Sequence, residues 1–340
     1  MTAIWSLRAQ RGACETVNLA QDVLTHVGAP LRDVEYGIRN ALVDASPETQ
    51  RLTRHLTDSG GKRVRPVLTL LSARLFSDDV TAAIPVGIAS EMIHMATLVH
   101  DDVIDKATTR RGHKTVNQVW GNHVSVLAGD ALLAKALVIL VDSGNLAIVR
   151  VMSDMIYRMC EGEVAQHATL RDVRQSEEQY YSRIEKKTAL FFAACCKAGA
   201  MAVGASEEGA SAMWDYGRNL GMAFQVIDDL LDVSATEQVV GKPVGHDVRS
   251  GVLTLPVLYL LRDQRYEQET ASMISKGDAI SAADIDRLLS WVRENGALDY
   301  TRRKAESFAD EAKKALECVP DSAAKDLLYQ MVEAVLTRNF

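Results

Sequence analysis

Proline is scarce in this chain: seven occur in 340 residues, and none falls between Pro85 and Pro243. Proline ends or kinks a helix, so a proline-free span of that length with scattered single glycines predicts consecutive helices. Strand signals are almost missing. No stretch alternates polar and apolar residues for long, and no Asn-Gly or Asp-Gly pair joins two β-branched runs. The expected class is all-α. A basic excess is also lacking. The 38 Lys and Arg stand against 45 Asp and Glu, a net charge of −7, which speaks against a general nucleic-acid binder. Five cysteines (Cys14, Cys160, Cys195, Cys196 and Cys318) show no CxxC or zinc spacing. Cys195 and Cys196 lie in an apolar helical run and read as core residues, and a reducing cytoplasm is the simplest setting. Arg8, Gln10 and Arg11 interrupt any signal-peptide core in the first 17 residues. No run of 18 or more uncharged apolar residues predicts a membrane-spanning helix, although surface contact with a membrane stays open.

What is present is a hydrophobic content of 47%, ample for a large core. Residues 1–16 read as an N-terminal extension and 17–340 as one helical domain, because no linker-like stretch interrupts it. Helices are expected over 17–44, from Ser46-Pro47 onward, and over 64–76, 80–106, 115–142, 146–170, 176–204 and 207–233. A polar loop follows at 234–252, then shorter helices to 338.

The chemistry concentrates in the stretch from Glu91 to Gly112. Its apolar residues recur at helical spacing, which places Asp101, Asp102 and Asp105 together at the end of one helix. Three such carboxylates repel one another, and the negative pole of the helix dipole adds to the strain. Hard cations such as Mg²⁺ would relieve it, since Mg²⁺ prefers carboxylate oxygens and commonly bridges to phosphate. Arg110 and Arg111 follow within a few residues and suit bidentate phosphate contacts.

One such motif alone is more often a solvated helix end. A second copy changes the balance: Asp228, Asp229 and Asp232 repeat the spacing inside another apolar helix. Carboxylates in apolar surroundings need a metal or a paired cation. Gly60-Gly61-Lys62-Arg63-Val64-Arg65 packs three cations before a helix start, a place that favours anions. His94 stands two turns before Asp101 on the same side, and His100 adjoins the aspartates, where metal support and plain packing are equally open. Lys187 and Thr188 could reach a phosphate from their helix. Gln225 precedes Asp228 by three residues and would face the same cavity, and Lys242 lies in the loop after the second cluster.

In that order, the segments GGKRVRP, HDDVIDKATTRRG, GMAFQVIDDLLD and GKPVGHD…TLP resemble the all-trans polyprenyl diphosphate synthases. The similarity runs from about residue 30 to the C-terminus. It is strongest toward medium- and long-chain bacterial enzymes such as heptaprenyl-type catalytic subunits. The resemblance implies a helical bundle around a central cavity, in a homodimer or with a small regulatory subunit. It implies that Asp101, Asp102, Asp105, Asp228, Asp229 and Asp232 hold Mg²⁺ ions, about three per site with substrate bound. Arg110, Lys187, Thr188, Gln225 and Lys242 would contact the allylic diphosphate. Lys62, Arg65, His94 and Arg111, with Arg63 beside them, would hold isopentenyl diphosphate. Catalysis would centre on the first three aspartates with Lys187, Asp228 and Asp229.

One departure stands out. Many relatives carry Gly-Lys-x-Thr-Leu-Pro where this chain has Gly251-Val252-Leu253-Thr254, so a lysine that would help neutralise the leaving diphosphate is replaced by Val252. Some heptaprenyl-type enzymes also lack it, so activity is still expected. The expected chemistry is ionisation of farnesyl or geranylgeranyl diphosphate followed by attack of isopentenyl diphosphate on the allylic cation. The chain shows no Ser/His/Asp or Cys/His arrangement, which fits a reaction with no dedicated side-chain base. The product would grow back along the central helix past Thr97, Ala96 and Ile93. No aromatic ring blocks the first turn, so a product of roughly six to eight isoprene units is expected at 5.4 Å per turn. A geranylgeranyl synthase, a catalytic subunit inactive alone and a terpene cyclase are the alternatives. The cyclase is disfavoured because it would not need GGKRVRP and its second metal motif is spaced differently.

Overall fold

The computed structural model describes residues 19–43, 45–58, 61–234 and 245–337. It is 79% helical, which settles the class as all-α. The N-terminal extension expected over 1–16 lies outside the described residues. Contacts divide the rest into two compact units. One runs to Ser153 and adds Ala194–Met213 and Cys318–Gln330; the other holds Asp154–Ala193, Trp214–Glu317 and the chain after Met331.

In the first unit, α1 (Leu19–Asn40) buries Val23, Val27, Leu31, Val34 and Ile38, the three-to-four spacing of an amphipathic helix. After α2 (Pro47–Asp58), α3 (Val64–Arg74) is enclosed all along, with every residue from Pro66 to Ala73 buried. A 3₁₀ turn at Thr81–Ala83 leads into α4 (Ile84–Ile104), the helix that carries the first aspartates. A Cβ on Gly37 would stand 2.2 Å from Ile88 Cδ1, so the glycine lets α1 and α4 approach closely. The helix expected over 115–142 is broken in two, α5 (Val116–Trp120) and α6 (Asn122–Asp142), because Gly121 between them takes φ 83°. Residues such as Val67, Leu70, Met92 and Ile93 are fully buried, each worth roughly 1.5–3 kcal/mol.

Thr81–Ile104 and Asn122–Asp142 are both long and apolar enough to cross a membrane by length and composition alone, although charged residues interrupt each of them. The first is 61% buried and serves as a core helix; α6 is only 33% buried. Its outer face carries Leu127, Val138 and Val141, each about half exposed.

Four helices run through the residues where the two units divide: α7 (Leu146–Ala168), α9 (Leu190–Ala202), α10 (Glu207–Ser234) and α16 (Ala323–Leu336). In the second unit, α8 (Glu177–Ile184) starts with a capping box between Ser176 and Gln179. The segment expected as one helix over 176–204 contains a π-turn at Glu185–Ala189 before α9. Single π-turns inside helices frequently mark functional sites. The loop expected over 234–252 is described only in part, and its described end folds as α11 (His246–Ser250). Next come α12 (Leu255–Leu261), α13 (Glu267–Ser275), α14 (Ala282–Glu294) and α15 (Ala297–Ala315). The core joins Tyr180, Val226, Ile227, Leu255, Leu258 and Leu288. A Cβ on Gly221 would lie 2.6 Å from Ala189 Cα, so α10 can press against the π-turn only with glycine there.

Candidate active site

In the first unit, Asp101, Asp102 and Asp105 stand at the end of α4, as the spacing predicts. Asn117 braces that end by donating to the carbonyls of Asp102 (3.2 Å) and Ala107 (3.0 Å). Asp102 is 5% exposed and bound at 2.8 Å by Arg110 Nε. Burial raises its pKa, and Arg110 offsets part of that rise. Arg110 belongs to a small hairpin the sequence did not announce: β1 (Thr109–Arg110) pairs antiparallel with β2 (His113–Lys114). Its two-residue loop, Arg111-Gly112, has φ 51° and 79°, the positive values a type I′ turn requires. His100 turns away from the aspartates, toward the Val126 carbonyl at 3.2 Å and Asp130 at 3.5 Å, so its role here is packing against α6.

The basic segment before α3 converges with α4. Arg63 Nη1 donates to Glu91 Oε1 at 2.8 Å, with Glu35 at 3.9 Å, and Glu91 is 4% exposed. A Cβ on Gly61 would sit 3.0 Å from Arg63 Nη1, 3.2 Å from Arg111 Nη1 and 3.4 Å from Glu91 Oε1. Three charged groups therefore gather around one glycine. Burial and the surrounding charges of Arg65, Arg111, Arg110 and Arg63 hold the His94 pKa well below its ordinary value. Its Nδ1 is buried and finds no hydrogen-bond partner among the described residues. A neutral imidazole among guanidiniums, with an unused polar atom, suits an anionic ligand. Ile93 and Ala96, which the length argument singled out, are buried; Thr97 is half-buried and bonds the His94 carbonyl at 2.8 Å.

In the second unit, one hydrogen-bonded chain joins residues named separately from the sequence. Thr188 Oγ1 donates to Gln225 Oε1 at 2.8 Å, and Gln225 Nε2 donates to Asp229 Oδ1 at 2.8 Å. The other oxygen of Asp229 accepts from the Tyr180 hydroxyl at 2.6 Å. Burial and Asp228 push Asp229 up to about 7 despite these donors, while burial and Asp229 drive Tyr180 well above its ordinary value and keep it a donor. Asp232 receives the backbone N–H groups of His246 (3.1 Å) and Asp247 (3.2 Å) at the start of α11. Asp247 itself is pushed up to about 8 by burial and by Asp229, Asp232 and Asp228. Lys187 lies on the π-turn, paired with Glu163 at 2.7 Å and reaching Gln166 at 3.4 Å. Lys242 falls outside the described residues. Tyr180 was missed in the sequence, where neither spacing nor composition marks it, and Asp247, which ends the GKPVGHD segment, was given no role there.

Among the described residues no three His, Cys, Asp or Glu side chains are gathered closely enough to cage a cation by themselves. The donor chemistry nonetheless fits Mg²⁺: carboxylates that raise one another's pKa would gain from a dication, and Mg²⁺ ordinarily completes its shell with water and phosphate oxygens.

The chain matches the family model described as Polyprenyl synthetase over residues 46–292. It is 37% identical to heptaprenyl diphosphate synthase component 2 of Geobacillus stearothermophilus, covering 84% of this chain and 88% of that one. It is equally 37% identical to octaprenyl diphosphate synthase of Escherichia coli, covering 85% and 90%. Its fold is similar to a decaprenyl diphosphate synthase from Rhodobacter capsulatus (TM-score 0.88, 34% identity, 93% and 98% covered). It is also similar to a polyprenyl synthase from Caulobacter crescentus complexed with calcium and isoprenyl diphosphate (TM-score 0.88, 32% identity, 96% and 100% covered). The chain belongs to the polyprenyl synthetase family.

Proposed function

We propose that this prenyltransferase condenses isopentenyl diphosphate with farnesyl or geranylgeranyl diphosphate to give an all-trans chain of roughly six to eight isoprene units. The observation that carries the reading is the Thr188–Gln225–Asp229 chain of hydrogen bonds, which ties a hydroxyl expected on the allylic diphosphate to an aspartate expected on the metal. Family members are Mg²⁺-dependent in general. Asp101, Asp102 and Asp105, and likewise Asp228, Asp229 and Asp232 with buried Asp247 beside them, are the residues that would hold Mg²⁺. When bound, Mg²⁺ supplies Lewis-acid neutralisation of the charge developing on the leaving diphosphate.

The chain's own residues do the rest. Lys187 and Thr188 on the π-turn, Gln225, Arg110 and Lys242 hold the allylic diphosphate. Lys62, Arg65, Arg111 and neutral His94 hold isopentenyl diphosphate, with Arg63 fixed beside them by Glu91. Orienting both substrates makes the attack effectively unimolecular. The apolar surface at Ile93 and Ala96 keeps water from the allylic cation and guides the growing chain. The proton lost after attack passes to the released diphosphate. Two copies pair over the apolar stripe of Leu127, Val138 and Val141 in the cytoplasm.

The test is pyrophosphate release by the purified chain, which should need both substrates and stop with a chelator. A second reading has its own support. Two relatives are named heptaprenyl diphosphate synthase component 2, so this chain could be one half of a pair. Turnover by the chain alone decides between them.

A further inference from the structure

Resting on the prenyltransferase reading, we propose that Arg183 is a positioning residue that supplies, from α8, the fixed positive charge behind the second aspartate cluster which Val252 does not provide. Arg183 is 5% exposed. Its Nη2 donates to the Leu253 carbonyl at 2.7 Å and its Nη1 to Gln175 Oε1 at 3.4 Å. Both partners are neutral, so among the described residues no direct ion pair consumes the guanidinium charge. A buried charge with only neutral partners is costly unless opposite charge stands nearby. That charge is the cluster. The Arg183 Cζ lies 5.5 Å from the centroid of the Tyr180 ring, whose hydroxyl grips Asp229 at 2.6 Å. Asp229 and Asp247 both act to hold Arg183 in its charged form against burial.

The same guanidinium anchors the turn that follows the acidic segment. Leu253 is the residue after Val252, and Val252 N donates to the Asp247 carbonyl at 2.8 Å. Arg183 thus fixes the backbone immediately after the position where a lysine would stand, and its buried charge feels the same carboxylates. Among the described residues, Lys187 nearby is already paired with Glu163. Removing Arg183 would leave four acidic side chains and an arriving diphosphate with less compensation, a cost paid mainly when charge accumulates on the leaving group.

The experiment compares Arg183→Gln, Arg183→Met, Arg183→Lys, Val252→Lys and the double variant R183M/V252K in the full chain. The readouts are kcat, both KM values, thermal midpoint, and calorimetric binding of inorganic pyrophosphate with Mg²⁺. Glutamine and methionine are expected to lower kcat and pyrophosphate affinity about tenfold or more, with KM for isopentenyl diphosphate within about twofold. Lysine at 183, or at 252 in the methionine background, is expected to restore most of the loss. A folded Arg183→Gln protein within about twofold of the wild type in kcat and pyrophosphate affinity overturns the proposal, as does a loss that lysine at neither position repairs. Should the glutamine and methionine variants fail to fold, Val252→Lys alone decides. A change within about twofold is expected because the charge is already in place, whereas a gain of about fivefold or more in kcat or affinity contradicts it. Absence of turnover by the wild type alone would favour the paired-subunit reading and leave Arg183 to be judged by pyrophosphate calorimetry, so the two failures are distinguishable.

Discussion

Tyr180 and Asp229 are joined by a 2.6 Å hydrogen bond between a fully buried hydroxyl and a buried carboxylate on another helix. The bond lowers the Asp229 pKa against the rise that burial imposes. Tyr180→Phe is therefore expected to make Asp229 harder to ionise. The Mg²⁺ needed for half-maximal turnover should rise several-fold, and stability should fall by about 1–3 kcal/mol. Magnesium titration and thermal melting check both.

Asp229 and Asp247, at about 7 and about 8, have folded-state values above the ordinary carboxylate range. Between those values and the unfolded value of about 3.9, the folded chain binds more protons than the unfolded one, so their contribution to stability falls as pH rises. Melting without Mg²⁺ should show this loss from pH 5 to pH 8, and Asp247→Asn should flatten it. Magnesium with pyrophosphate should displace the protons, so the thermal shift it gives should grow over the same window.

Glu91 and Arg63 form a buried pair, with Glu35 farther off at 3.9 Å. Removing one member of such a pair strands the other charge, so Glu91→Gln should cost about 3 kcal/mol. The guanidiniums around Gly61 would lose their anchor. KM for isopentenyl diphosphate should rise about tenfold, with KM for the allylic substrate little changed. Steady-state kinetics with each substrate varied separately reads the difference.

On the proposed reading, product length is set along one helical turn of α4. Ala96 is 2% exposed, so a phenylalanine there would overpack the core, at about 1–3 kcal/mol, besides obstructing the proposed path of the product. Thr97 is half-buried and better placed for the trial. Thr97→Phe should shorten the product by several isoprene units and leave primer consumption largely intact, as product chromatography would show.

Where a site depends on spacing within one helix, it is legible in the sequence. Asp101, Asp102 and Asp105 share the end of α4, and Gln225 and Asp229 stand one turn apart and touch. What escapes are partners brought together by folding. Tyr180 lies 49 residues from Asp229, and Glu91 lies 28 residues from the Arg63 it fixes, a pairing that turns Arg63 into a support. The Arg111-Gly112 hairpin hides because arginine rarely takes φ 51°, a conformation whose strain suits a functional turn. The π-turn at Glu185–Ala189 leaves the apolar periodicity almost unchanged, so no pattern announces it. Continuous helix over 115–142 fails at Gly121 for the opposite reason, since a single glycine is too weak a signal to mark a break.

The most direct test of the central claim is mass spectrometry of the products made from Mg²⁺, isopentenyl diphosphate and farnesyl or geranylgeranyl diphosphate. The expected result is a ladder of all-trans prenyl diphosphates ending at one length of roughly six to eight units. A cyclic hydrocarbon formed from the primer, or no elongation even with the candidate partner subunit added, would contradict it.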